Sequence, residues 1–291
     1  MISPTRRAHH GCVEPIEYAV SLVVSRVQPL VREPRIWRSG MGAKTALLAF
    51  ADGDIRPALL GATRSQRDET EMLVRRIHPG YRVEPVEDGT LWDYVYPPDD
   101  ITYATKLAGA EVFCDRRLVL DRPSELPEHL RAVGAGRRII MHGMHSVSDW
   151  CCFAVWEDGE LIRSLSLSPN GGIAENIGEP YEFELPYWAG EYPVVPVSGW
   201  PDRGPYPLPF HPLELGDEAL CALFGFAVEG HPDEIDPEGV HLHGFRVTDP
   251  SGEEQAAREA AYAAVLQRMG KPRRFRRGSD GVMHEVDSDD L

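Results

Sequence analysis

The sequence has no Cys-x-x-Cys pair, and its five cysteines (Cys12, Cys114, Cys151, Cys152 and Cys221) are odd in number and share no framework spacing. A disulfide scaffold is therefore excluded as an organising principle, and reduced thiols in a cytoplasmic compartment are expected. No apolar run approaches bilayer-spanning length, so no membrane partner is expected. Positive charge is in short supply. The 30 Lys and Arg against 46 Asp and Glu leave a formal charge of −16, which repels nucleic-acid phosphates and anionic lipid alike. No internal repeat of about 20–50 residues marks a solenoid or propeller. What is there is a chain of 291 residues, 42% hydrophobic and 26% charged, the ordinary range for a soluble globular protein.

The charge is unevenly placed. Residues 1–40 hold six Arg and three Glu, a net +3 that leaves −19 for residues 41–291. Their one mildly apolar run, Tyr18 to Val31, contains Arg26 and Pro29 and follows Glu14 and Glu17, unlike the basic-then-apolar order of a signal peptide. Met41 directly precedes a clean strand pattern, Thr45 to Ala51. Residues 1–40 are accordingly read as a disordered or misassigned extension, with a genuine N-terminal arm as the alternative. Residues 41–291 are read as a single globular domain.

The most informative stretch is Arg137 to Pro169. Trp150 to Trp156 and Leu161 to Ser168 are strand-like runs flanking Asp158-Gly159, a pair that accepts the positive φ angles of a type I′ hairpin turn. A two-residue loop would set Trp156 opposite Leu161, Ala154 opposite Arg163, Cys152 opposite Leu165 and Trp150 opposite Leu167. Two largely apolar faces place this hairpin inside a sheet covered on both sides. Adjacent Cys151 and Cys152 would point to opposite faces and serve as small apolar residues.

Around the hairpin, helices are expected near Arg56 to Leu60, from Ser65 to Ile77 with Met72, Leu73 and Ile77 inward, and from Ser124 to Val133 with Ser124 as N-cap. A helix from Asp217 to Glu229 and an Ala-rich helix opened by a Ser251–Glu254 capping box follow. Strands are expected over Tyr81 to Val86, Thr102 to Leu107, Glu111 to Asp115 (with a continuation through Leu118 to Leu120), Arg138 to Met141 and Val240 to Val247. The basic run Lys271 to Arg277 reads as one side of a short hairpin turning at Ser279-Asp280-Gly281. Seven prolines in Tyr192 to Pro212 define a Pro-rich arm, residues 192–212, that cannot supply a ladder of N–H donors. With Trp188, Tyr192, Trp200, Tyr206 and Phe210 beside it, the arm is either a protein-partner surface or a cover for the core.

Four groups of residues could carry chemistry. Gly42-Ala-Lys-Thr45 lacks the Gly-Lys contact and the following helix of a phosphate-binding loop, and is set aside. Asp52 and Asp54 stand at a strand end, where two carboxylates could hold Mg²⁺ or Mn²⁺. They distantly resemble the Asp-x-Asp of aspartate-phosphorylating phosphatases, with Arg56 where that pattern wants Thr or Val; the alternative is a turn whose Asp54 caps a helix. His142, His145, Ser146, Ser148 and Asp149 form the densest polar cluster, read as a loop entering the hairpin, able to supply a ligand or general base or to be satisfied by backbone hydrogen bonds. His241 and His243 would share a strand face and could ligate a metal, with no third ligand indicated nearby.

The wording of MGAKTALLAFADGD, LDRPSELP, MHGMHSVSDW, AVWEDGELIRSLSLSP, ENIGEPYEFELPYWAGE and YPLPFHPLELGDEAL, between Met41 and about Val247, resembles an uncharacterised actinobacterial domain-of-unknown-function family. The resemblance implies no activity, cofactor or site residue. It favours Met41 as the start, because the family pattern begins at MGAKT.

The reading is a single α/β or α+β domain, a mixed β-sheet with flanking helices. Its function is expected to be that of a non-catalytic cytoplasmic accessory or binding protein. The alternative is a metal-dependent hydrolase with Asp52 and Asp54 as ligands of a divalent metal and His142, His145 or Asp149 as ligand or base. That alternative requires both groups in one concave pocket at the same sheet edge.

Overall fold

The Asp158-Gly159 signal forms the turn it encodes. In the computed structural model, which describes residues 43–195, 206–228, 235–268 and 274–286, Asp158 and Gly159 have φ of 50° and 84°. Strands β7 (Trp150–Glu157) and β8 (Glu160–Ser168) leave this turn in the expected register, Trp156 opposite Leu161. One step later the register slips. Arg163 pairs with Val155, not Ala154, so Ile162 is the extra residue of a β-bulge. A slip of one residue exchanges faces. Arg163 therefore joins Phe153 and Val155, and Leu165 faces Phe153 where Cys152 was expected.

On its new face Arg163 is fully buried, which its partners make tolerable. It donates Nε and Nη2 to Glu184 at 2.9 and 2.6 Å, and Nη1 to Asn176 at 2.7 Å and to the Ile177 carbonyl at 2.8 Å. A buried guanidinium is stable only when its fork is filled in this way.

The hairpin is internal, as its two apolar faces require. Among the described residues the main sheet has ten strands. Along its path lie β2 (Arg82–Pro85), β10 (His241–Thr248), β4 (Ile101–Leu107), β5 (Ala110–Cys114), β1 (Lys44–Ala51), β6 (Arg138–His145), β7, β8 and β9 (Gly172–Ile177), with β3 (Gly89–Thr90) also on β10. Every pairing in it is antiparallel, where a mixture of directions was expected, and this selects α+β over α/β. A separate hairpin, β11 (Arg274–Arg277) with β12 (Met283–Val286), turns through Gly278 to Gly281, as the basic run predicted; Lys271 to Arg273 lie outside the described residues.

Both sheet faces are covered, which is why β1 is buried over seven of its eight residues. One face carries Leu47, Ala49, Val112, Ile140, Phe153 and Leu165 and packs against α1 (Arg56–Leu60), α3 (Leu91–Tyr94), α5 (Leu185–Trp188) and α6 (Pro212–Phe224). The other carries Leu48, Phe50, Phe113, Met141 and Phe245 under α2 (Arg67–Ile77) and α4 (Glu128–Val133). Helix α6 sits on β6 and β7 with Leu215, Leu220 and Phe224 fully buried, each worth about 1.5–3 kcal/mol. Gly216 permits the approach: a Cβ there would stand 2.5 Å from Met144 Sδ and 2.9 Å from Cys151 Sγ.

Several local expectations are corrected. Met72 points outward, and α2 buries Thr70, Leu73, Val74 and Ile77. Ser124 does not cap α4, which begins at Glu128; its N–H and hydroxyl are held by the Glu175 carboxylate. The stretch after Asp115 is a 3₁₀ turn, Arg116–Leu118, and not a continuing strand. Helix α6 starts five residues before Asp217 and ends at Phe224, where Gly225 adopts the left-handed cap (φ 81°). Ahead of α7 (Glu253–Arg268), Asp249 accepts from the Glu254 N–H at 3.1 Å while Ser251 accepts from that of Glu253 at 3.2 Å. In the Pro-rich arm, residues 196–205, including Trp200, lie outside the described residues, as does the segment before Ala43 with Met41. Of the described aromatics, Phe210 is buried in the core, with Trp188 and Tyr187 rings at 4.9 and 5.5 Å, Tyr206 is half-buried and Tyr192 is exposed. No helix among the described residues is long and apolar enough to cross a membrane.

Candidate functional site

His142 and His145 lie on a strand, because β6 runs to His145 and does not stop at Met141. Three residues apart, they point to opposite faces. His142 faces α6 and is completely buried. Its Nε2 donates to the Gly216 carbonyl at 2.8 Å, which leaves Nδ1 to accept from the Thr45 hydroxyl at 2.8 Å. Burial pushes its pKa down to about 4 against the smaller opposing effect of the Gly216 hydrogen bond, so it is neutral at pH 7. Both nitrogens are used within the core, and no lone pair is left for a ligand.

His145 and Asp149 flank the turn from β6 to β7. Asp149 takes φ 48°, a conformation Asp tolerates better than most side chains. Its carboxylate faces His211 Nε2 at 3.9 Å and not His145. The Ser148 hydroxyl is 3.4 Å from His145 Nδ1 and 3.3 Å from the His145 carbonyl. Serine and histidine are thus neighbours, while Asp149, the third group that would orient the imidazole, lies on the side of His211, beyond hydrogen-bond distance.

Asp52 and Asp54 stand at the other end of β1. In the β1–β6 register Ala51 is opposite Arg138 and Lys44 is opposite His145. Seven strand steps of about 3.3 Å separate these ends by roughly 23 Å. Each carboxylate already holds a cation: Asp52 accepts from Arg137 Nε at 2.8 Å, and Asp54 from Arg56 Nε at 2.9 Å and Nη2 at 2.5 Å. Asp54 also accepts from the Arg56 N–H at 3.1 Å, close to the capping role weighed for it, although the helix N-cap itself is Ile55. The Arg56 guanidinium holds its pKa below the ordinary carboxylate value. The two halves of the hydrolase site are not brought together.

What the His145 end does form is an open cleft of about 800 Å³. Its floor is the sheet end (Thr45, His145, Trp150, Ser168), and its walls come from the loop carrying Tyr96 and Asp99, from the turn of Arg116 and Arg117, and from Glu254 and Arg258 of α7. Asp115 builds that turn by accepting from the Arg117 N–H at 2.8 Å. Burial would raise its pKa, but hydrogen bonds from His78 and Arg117 bring it down to about 2, so it is a fixed negative charge. Arg117 is held by it at 2.6 Å and Arg258 pairs with Glu254 at 2.8 Å. Arg116 gives Nη1 to the half-exposed Asp99 at 2.7 Å and lies over the Tyr96 ring, 4.7 Å from its centroid. Lys44 approaches the same ring at 5.7 Å and has no carboxylate partner among the described residues. The positive potential registers on His145, whose pKa is lowered by burial first and then by Lys44 and Arg116.

The profile of a family of unknown function, DUF6928, matches residues 45–245. The chain belongs to that family. The match runs from Thr45 in β1 to Phe245 in β10, so it takes in the sheet and the cleft floor, while Glu254 and Arg258 of α7 lie beyond it. No curated protein and no solved structure matches the chain.

The sequence pointed to this end of the molecule through His145 and Ser148 but missed Arg116, Arg117, Tyr96 and Arg258. Reading the stretch after Asp115 as strand hid the two arginines; Asp115 preceding them was the available sign of a turn. His241 and His243 do share a strand face, and they acquire a third neighbour in Asp88.

Proposed function

We infer that this protein is a binding protein without catalysis, and that the cleft at the Lys44–His145 end of the sheet seats a small anionic ligand carrying a planar or apolar portion. The observation that carries the reading is the convergence on Tyr96 of Arg116 and Lys44, the first paired with the half-exposed Asp99 and the second without a carboxylate partner among the described residues. A guanidinium and an ammonium beside Tyr96 and Trp150 suit a carboxylate or phosphate attached to a flat group. Catalysis is disfavoured because Asp149 is turned to His211 and the two aspartates stand at the far end of β1. A cytoplasmic setting goes with this reading, since Cys114, Cys151 and Cys152 are buried free thiols.

The test is calorimetric titration of the full chain with inorganic phosphate, aromatic carboxylates and nucleoside monophosphates, beside an esterase and phosphatase panel. Saturable binding of an anionic probe, weakened about tenfold or more by Arg116→Ala, is expected with no turnover. Absence of any saturable binding refutes the cleft as a ligand seat. Ester or phosphoester turnover abolished by His145→Ala would establish catalysis in its place.

A further inference from the structure

His241 and His243 project from β10 beside Asp88, and donor atoms of the three lie within 4.8 Å of one another. The protons decide what this cluster is. His243, almost fully buried, points Nε2 at the Ser65 carbonyl, 2.9 Å away, so Nε2 carries the hydrogen and donates it. Its Nδ1 then faces both Asp88 oxygens at 3.2 Å. A bare imidazole nitrogen opposite a carboxylate sets lone pair against lone pair, so a cation belongs between them: a second proton or a metal ion. His241 adds the next piece. Its Nε2 lies 3.4 Å from Asp88 Oδ2, its Nδ1 is buried with no partner, and its ring centroid is 4.8 Å from that of His243. A second proton would serve His243 alone and leave His241 Nε2 aimed at the same carboxylate, whereas one metal ion would be shared by both imidazoles as an ordinary ligand pair.

Two of the three spacings suit the second choice. A tetrahedral ion with bonds of about 2.1 Å needs ligand atoms about 3.4 Å apart. Asp88 Oδ2 stands 3.2 Å from His243 Nδ1 and 3.4 Å from His241 Nε2, and the group as a whole fits within 4.8 Å, so the ion must draw the two rings slightly together. The Ser65 carbonyl on the far nitrogen of His243 is the outer partner that fixes a metal-binding tautomer. We propose that Asp88, His241 and His243 form a divalent transition-metal site of the zinc class, independent of the cleft. Arg64 and Arg67 also reach Asp88, at 2.9 and 2.6 Å, and are the competing cations. Arg64 is largely exposed and free to swing away, and each carboxylate oxygen has a second lone pair.

The experiment uses the full chain stripped with chelator, titrated with Zn²⁺ by calorimetry and with Co²⁺ by visible absorption. One equivalent is expected to bind. Loss of an outer partner alone typically costs 10–100-fold, so His241→Gln and His243→Ala should each weaken binding by a factor on the order of 100 or more. Arg64→Ala, which lifts a competing cation from Asp88, should tighten it several-fold. Thermal melts of the variants confirm that they are folded, and ¹⁵N shifts of the wild-type His243 ring report on Nδ1 directly. Failure to bind either metal overturns the proposal. So does binding that survives replacement of both histidines, an Nδ1 signal that stays protonated in saturating Zn²⁺, or affinity indifferent to Arg64.

Discussion

Acidification should expose the strain of keeping His142 neutral. The unfolded chain takes up a proton on this imidazole near the ordinary value of 6.5, while the folded pKa is about 4 because the ring is fully buried. The unfolded state therefore binds more protons in this interval, and stability falls as pH falls. The contribution is complete above pH 6.5 and is lost progressively down to about pH 4. At about 1.4 kcal/mol per unit, the interval amounts to about 3 kcal/mol, a large fraction of the 5–15 kcal/mol of an ordinary domain. Urea unfolding of wild type and His142→Gln at intervals from pH 7 to pH 4 measures it. The Gln amide can donate to the Gly216 carbonyl and accept from Thr45 without titrating. His145 and His241 are depressed in the same direction, but they titrate in both proteins and cancel in the difference. The wild type should lose about 3 kcal/mol more than the variant across this window. Parallel pH profiles would refute a buried, neutral His142.

The Arg163–Glu184 pair should be costly to break from one side: Arg163→Met leaves a buried carboxylate and should cost about 3–5 kcal/mol, whereas Arg163→Met with Glu184→Leu recovers much of that in chemical denaturation. Equal losses in the single and double variants would show that charge pairing is not what the site depends on. Gly159→Val places a β-branched residue at φ 84° and should lower stability by at least about 1–2 kcal/mol, so a variant that melts like the parent would contradict the turn. Millimolar Mg²⁺ or Mn²⁺ should not raise the melting temperature through Asp52 and Asp54, since Arg137 and Arg56 already occupy them. A metal-dependent gain that Asp52→Asn abolishes would reverse that conclusion.

Local chemistry alone determined the hairpin turn, the order of most elements and the doubly covered sheet. Asp-Gly selects positive φ, alternation selects strands, and apolar side chains on both faces require two covering layers. These properties depend on neighbours within a few residues. Tertiary structure decided the rest. The bulge at Ile162 reversed the face of Arg163, because register answers to packing across the sheet as well as to the turn. His142 became a core residue once α6 brought the Gly216 carbonyl over it, 74 residues away in sequence. Asp52 and His145 were separated by a strand length, although a list of polar residues could not show which end each occupied. Asp88 meets His243 across 155 residues, a pairing that no spacing encodes because only the closing of β10 onto the sheet creates it.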